Sequence, residues 1–237
     1  MNLLLLEPAD LLDAATARVS GRRLRHLLEI LKAIPGEALR AGVLGGHVGR
    51  AELLSIDSRQ ALLRVVLTES PPPPSQVTVL LALPRPKAVR RLLQGLAAFG
   101  VKRIILVNTA RVDKSYWQSP LLTPDAIREQ LLLGLEQSRD TILPEVLLQR
   151  RFRPFVEDEL PLLAQDTLAL VAHPGAALPC PTAVSGPVTL AIGPEGGFVP
   201  FEVELLTRQG FLPVQLGIRP LRVEAAVPAL LGRLLPA

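Results

Sequence analysis

The sequence predicts an α/β protein: a mostly parallel sheet covered on both faces, preceded by a small β-rich domain. Three observations carry this. From residue 76 onward, short apolar runs alternate with segments of helical periodicity, the pattern of strand–helix crossovers. Before residue 70, short apolar runs are separated by glycine turns, as in a small antiparallel domain or barrel. Between them stands Pro71-Pro72-Pro73-Pro74, without backbone donors and stiffly extended, which suits a linker. The expected organisation is a β-domain over residues 1–70, a proline-rich linker over 71–75 and an α/β domain over 76–237.

The elements follow in order. Leu3, Leu4, Leu5 and Leu6 read as a first strand, and residues 38–44, 48–56 and 61–67 as further strands around Gly45-Gly46. Leu24, Leu27, Leu28 and Leu31 fall at helical spacing, leaving Arg22, Arg23 and Arg25 on the opposite face, either as a solvated surface or as an RNA contact. After the linker, residues 77–83 form a continuous apolar run, expected of a strand buried on both faces. Val89, Leu92, Leu93 and Leu96 give the next helix its apolar face, with Lys87, Arg90 and Arg91 turned away, Pro86 in its first turn and Gly100 beyond its end. Residues 101–107 are the following strand. The polar segment 108–120 holds the only Tyr and only Trp, Tyr116 and Trp117, and core packing is the expected role of Trp117. Thr123-Pro124-Asp125 starts a helix with Ile127, Leu131 and Leu135 on its buried stripe, ending near Ser138. Strands follow at 167–172, 188–192 and 214–217. The last helix begins near Glu224, so Pro228 must lie in its first turn or kink it.

Charge narrows the classes of partner. The net charge is +4 with a pI near 9.8, and between Pro84 and Lys114 eight basic residues face one acidic residue. Arg85, Lys87, Arg90, Arg91, Arg111 and Lys114 in that cluster suit an anionic polymer, the alternative being a solvated face. The lone Cys180, between two prolines, allows no internal disulfide and points to a reducing cytoplasm. One cysteine and three scattered histidines give no metal-ligand spacing, so no metal is expected. No unbroken apolar run is long enough to span a bilayer, and the N-terminus lacks the basic region of a signal peptide. The glycine motifs of dinucleotide-binding folds and P-loop enzymes are absent, as is the nucleophile elbow of hydrolases.

Two glycine-bearing turns at strand ends remain. Gly193-Pro194-Glu195-Gly196-Gly197 follows one strand, and the segment from Leu216 and Gly217 to Arg219, Arg222 and Glu224 follows another. Each is either a tight structural turn or part of a ligand site outside strand ends. Glu224 also suits the dipole at the start of the final helix.

IGPEGGF followed by LGIRPLRVEAAVPAL resembles the RsmE family of SPOUT methyltransferases, which methylate N3 of one uridine in 16S ribosomal RNA. RRLRHLLEILKAIPGEALRAG resembles that family's PUA-like β-barrel domain, and the central segments resemble its catalytic domain. The resemblance implies S-adenosylmethionine as donor, a C-terminal trefoil knot, a homodimer and the small ribosomal subunit as partner. It places the cofactor on His173, Pro174, Gly193, Pro194, Glu195, Gly196, Gly197, Leu216, Gly217, Ile218, Leu221 and Arg222, largely through backbone groups. Arg222 becomes the residue that stabilises charge on the uracil oxygens, with Glu224 or Glu195 as base or ring-positioning group. Arg139 becomes a contact to RNA or to the partner subunit. Two departures stand out. Where many members carry Leu-Arg-Thr-Glu-Thr-Ala, this chain has Leu221-Arg222-Val223-Glu224-Ala225-Ala226; where many carry Gly-Arg, it has Arg139-Asp140. Rival readings are a SPOUT enzyme acting on another RNA site or a ribose 2′-OH, and a non-catalytic RNA-binding assembly protein. Uracil C5 chemistry through Cys180 is disfavoured, since no basic neighbour in sequence lowers its pKa.

Overall fold

A computed structural model describes residues 2–236. The chain divides into two compact units. One comprises Met1–Pro73 with Leu132–Leu143, the other Pro74–Leu131 with Pro144–Ala237.

The first unit is built on a five-stranded sheet of β1 (Leu4–Leu6), β2 (Thr16–Val19), β3 (Ala38–Val43), β4 (Val48–Ile56) and β5 (Ala61–Glu69), in the order β1-β3-β4-β5-β2. Only β1 and β3 run parallel. Bulges at Val48/Gly49 and Leu53/Ser55 bend the β4–β5 pair. At Gly49 a Cβ would lie 2.0 Å from the Val66 carbonyl oxygen, so only glycine fits. Alternate residues such as Ala51, Leu53, Leu63 and Val65 point into one core with Leu6, Val19 and Leu27.

Helix α1 (Gly21–Arg25) continues as a π-turn over His26–Leu31 and ends at Lys32 in the left-handed conformation. The change of pitch alters the expected apolar face. Leu24 and Leu27 are buried, whereas Leu28 and Leu31 are exposed. Leu132–Leu143 belongs to this unit through particular bonds. The Gly45 amide donates to the Thr141 carbonyl at 2.8 Å, and Arg22 meets the buried Glu136 carboxylate at 2.5 Å.

The second unit carries seven parallel strands: β6 (Val77–Ala82), β7 (Arg103–Val107), β8 (Glu145–Gln149), β9 (Leu168–Ala172), β10 (Leu178–Pro179), β11 (Val188–Ile192) and β12 (Leu212–Gln215). Their order is β10-β12-β9-β11-β6-β7-β8. Every residue of β11, near the centre of the sheet, is buried, as its unbroken apolar sequence requires. Helix α2 (Pro86–Ala98) lays Val89, Leu92, Leu93 and Leu96 inward as the periodicity predicts. Helix α3 (Pro124–Ser138) has the expected bounds, its residues from Leu132 grouping with the first unit. Short helical turns α4 (Phe152–Pro154) and α5 (Leu160–Leu163) flank a π-turn. Helices α6 (Pro200–Arg208) and α7 (Val223–Leu234) precede and follow β12.

Two prolines explain local differences from expectation. Pro213 lies inside β12, two residues earlier than the strand was expected to run. Its β10 neighbour begins pairing only at Val214, so the missing amide costs no ladder bond there. Pro228 lies beyond the first turn of α7, where Glu224 loses the amide that would bond its carbonyl. Among the described residues no helix is long and apolar enough to cross a membrane, and no group of three or more His, Cys, Asp or Glu could hold a metal ion.

Candidate active site

Strand register creates the site. Ala172 of β9 pairs with both Ile192 of β11 and Val214 of β12, so the turns that follow these three strands emerge side by side. Parallel strands end together, and here the chain leaves the sheet at a point where neighbours in space are distant in sequence. The turns enclose a cavity of about 320 Å³. His173 and Pro174 line it from β9; Gly193, Pro194, Glu195, Gly196 and Gly197 from β11; Leu216, Gly217, Arg219, Pro220 and Leu221 from β12. Ile192, Val214, Val223 and Leu230 give it an apolar wall. A wider, more open depression of about 780 Å³ shares Arg111, His173 and Phe198 with it and continues along α6.

Glycine is required at particular points of this lining. A Cβ on Gly193 would sit 2.9 Å from the Phe198 amide nitrogen. Gly197, at φ +73°, closes its turn by donating to the Pro194 carbonyl at 2.8 Å, and Gly217 has φ +139°. The amides of Gly196, Gly217 and Ile218 donate to no group of the described residues, so these turns offer hydrogen-bond donors to a ligand.

Three loops converge with charge. Arg85, between β6 and α2, donates from its backbone amide to Glu195 Oε1 at 3.2 Å and from Nη2 to Glu224 Oε1 at 2.9 Å. The Arg85 hydrogen bond holds the Glu224 carboxyl below the ordinary glutamate range. The other Glu224 oxygen, Oε2, is buried without a hydrogen-bond partner among the described residues. Arg111, in the loop after β7, donates to the Gly196 carbonyl and packs its aliphatic stem where a Gly196 side chain would stand. That loop is anchored by Glu202, which is buried and accepts from Ala110 N at 2.7 Å and from Val199 N at 2.9 Å. The anchoring role of Glu202 was not read from sequence; its place at the third position of a helix opened by Pro200 was the available signal.

The cofactor candidates are thus brought together except Ile218 and Arg222. Ile218 is 92% exposed. Arg222, the N-cap of α7, is exposed beside the cavity and makes no side-chain hydrogen bond among the described residues, while its carbonyl accepts from Ala225 and Ala226. Arg111, expected as an RNA contact, is part of the lining; so is Arg219. Of the other basic candidates in this unit, Lys87, Arg90, Arg91 and Lys114 are exposed. In the first unit Arg22 pairs with Glu136, Arg23 is held by Asp10 and the Leu5 carbonyl, and Arg25 and Arg139 are exposed. Arg139 has φ +61°, the left-handed conformation in which glycine is most at ease. Trp117 is buried, donates to Asn108 Oδ1 at 2.8 Å and lies under Arg150, consistent with a packing role. Cys180 is buried, which raises its thiol pKa and makes it a poor nucleophile.

A model of the RNA methyltransferase domain matches residues 71–235. The chain belongs to this family. It is similar along nearly its whole length to proteins named ribosomal RNA small subunit methyltransferase E. The Treponema pallidum protein is 29% identical, with 97% of this chain and 88% of that one covered. The Synechocystis protein is 27% identical, with 98% and 76% covered. Among solved structures, the Neisseria gonorrhoeae methyltransferase E bound to S-adenosyl methionine superposes with a TM-score of 0.76 at 22% identity, covering 98% of this chain and 95% of that one. A putative methyltransferase from Legionella pneumophila, in complex with the same cofactor, gives 0.75 at 24% identity, covering 97% and 95%. The expected α/β fold with its N-terminal β-domain is the fold these proteins share.

Proposed function

We propose that this protein transfers the methyl group of S-adenosylmethionine to N3 of a uridine in 16S ribosomal RNA of the small subunit. In this reading it works in the cytoplasm as a homodimer with a knotted C-terminal domain. The observation that carries the reading is the glycine-turn cavity at the ends of β9, β11 and β12, inside the segment that matches the family. Its volume suits one small ligand. Its apolar wall suits an adenine ring, its unpaired amides suit polar edges, and Glu195 suits a positively charged group. When bound, the cofactor supplies an electrophilic methyl on a sulfonium.

The chain's own residues then meet the demands of the substrate. The imide proton at N3 must pass to Glu195 or to water, and the charge spreads onto the uracil oxygens. Arg222, exposed at the rim with a free guanidinium face, is the donor for that charge. Glu224 is a weak proton acceptor because Arg85 keeps it ionised, so its role is orientation. Glu195, lining the cavity, is the better placed of the two to face the ring or the cofactor. No covalent adduct is needed, in keeping with the inert Cys180.

The test incubates the protein with labelled S-adenosylmethionine and small ribosomal subunits lacking the modification. Label is expected as 3-methyluridine at one position. Label on ribose or on another base would replace this substrate assignment, and a protein that binds RNA but transfers no label would support an assembly role.

A further inference from the structure

We infer that Arg85 is a positioning residue that clamps the two cofactor-site turns to the end of β6. The inference deepens the proposed methyl-transfer site and rests on it for its functional arm. Arg85 stands between Pro84 and Pro86, so its backbone is held by the two flanking rings and has φ −54° and ψ 148°. From this stiff point it reaches in two directions. Its amide binds Glu195 in the turn after β11, and its guanidinium binds Glu224 in the first turn of α7. The Nε lies 3.9 Å from the Glu195 carboxylate, so one cation faces both carboxylates. β6 and β11 are paired neighbours, whereas α7 is reached only after α6 and β12. Without the guanidinium nothing else among the described residues donates to the Glu224 carboxylate except its own amide, and Oε2 already has no partner.

Arg85 belongs to the basic cluster of residues 84–114, whose charge suits an anionic polymer. Here the geometry directs the charge inward, to residues that shape the cavity rim. At the α7 end of the clamp, Glu224 is flanked by Val223 and Ala225. Those two positions offer no side-chain donor to hold Glu224, and Arg85 supplies the contact.

The two arms can be separated, because substituting Arg85 removes the guanidinium and leaves the backbone amide. Hydrogen exchange on the protein without ligand should show faster exchange over residues 216–227 in Arg85→Ala, with residues 193–198 largely unchanged. Glu195→Ala should do the reverse. Arg85→Lys, which keeps a cation, should restore the protection. Calorimetric affinity for S-adenosylmethionine should fall roughly tenfold in Arg85→Ala and recover in Arg85→Lys. The Arg85→Ala and Glu224→Ala effects on affinity should be non-additive by about threefold or more. Equal exchange in wild type and Arg85→Ala, or additive effects, would overturn the clamp. Loss of protection across the whole sheet would show a general folding defect and also count against it. If the wild type binds no S-adenosylmethionine, the methyl-transfer reading fails while the exchange data still decide the clamp.

Discussion

At the scale of single residues, the two charged groups at the start of α7 separate by their partners. Among the described residues Arg222 faces outward without a side-chain hydrogen bond, while Glu224 is held by Arg85. Arg222→Ala should therefore lower single-turnover methylation by about a hundredfold, as expected on removing one preorganised donor, and leave cofactor affinity within about threefold. Equal losses in both would move Arg222 from the chemistry to cofactor binding. Glu224 makes a prediction in pH. Its folded pKa is lowered, so the Arg85 contact is present in full above the ordinary glutamate range and lost as pH falls through the lowered value. Asp57 and Asp113, lowered by backbone hydrogen bonds, and Glu69, lowered by Arg40, share that sign. Burial also lowers His26, so stability to denaturant should begin to decline as pH falls through about 6.5 and decline further below about pH 5 as the carboxylates protonate. The rate profile between about pH 6 and 9 should keep its shape in Glu224→Gln, since a group ionised throughout cannot create a limb there. A limb that disappears in this variant would restore Glu224 as the base.

At the scale of elements, the turn after β11 distinguishes glycines that carry the fold from one that carries a contact. Gly193→Ala pushes a Cβ against backbone at Phe198 N and should cost about 1–3 kcal/mol in chemical denaturation. Gly196→Ala meets only the flexible stem of Arg111, at 3.0 Å, at a backbone angle open to any residue. It should leave stability nearly unchanged and free Arg111 from the Gly196 carbonyl, a change visible as faster exchange in the loop after β7. Elements of this kind were legible in sequence wherever one local pattern decided them. The apolar run of β11 and the spacing of α2 needed no distant partner. The end of β12 was misplaced because Pro213 argues against a strand unless the short reach of β10 is known. The outward turn of Leu28 and Leu31 depends on a π-turn that periodicity does not encode. The glycine turns were legible as turns at strand ends, but the Arg85 contact to Glu224 was not, because it joins residues 139 positions apart.

At the scale of the whole molecule, two properties follow from how charge and chain are distributed. Arg85 and Arg111 are engaged at the cavity, which leaves Lys87, Arg90, Arg91 and Lys114 exposed to act on a polyanion. Reversing charge at Arg90 and Arg91 should weaken RNA binding and lower the slope of log affinity against log salt by roughly two. An unchanged slope would make that face merely solvated. The second property concerns the β-domain. The proline run looks like a clean boundary, yet the unit that precedes it is completed by Leu132–Leu143. Residues 1–73 alone would leave Arg22 without Glu136 and the Gly45 amide without Thr141 O. They would also lose the Thr141 hydroxyl, which donates to the Gly46 carbonyl at 2.5 Å. A unit this small has little stability to spare, and each lost kcal/mol lowers its melting temperature by about 4–8 °C. A fragment of residues 1–73 should therefore melt at least about 10 °C below one in which residues 132–143 are joined to it by a flexible linker. Circular dichroism of the two fragments reads this directly. Equal melting would mean that residues 132–143 rest on a domain already complete, and that the proline run is the true boundary in stability as well as in sequence.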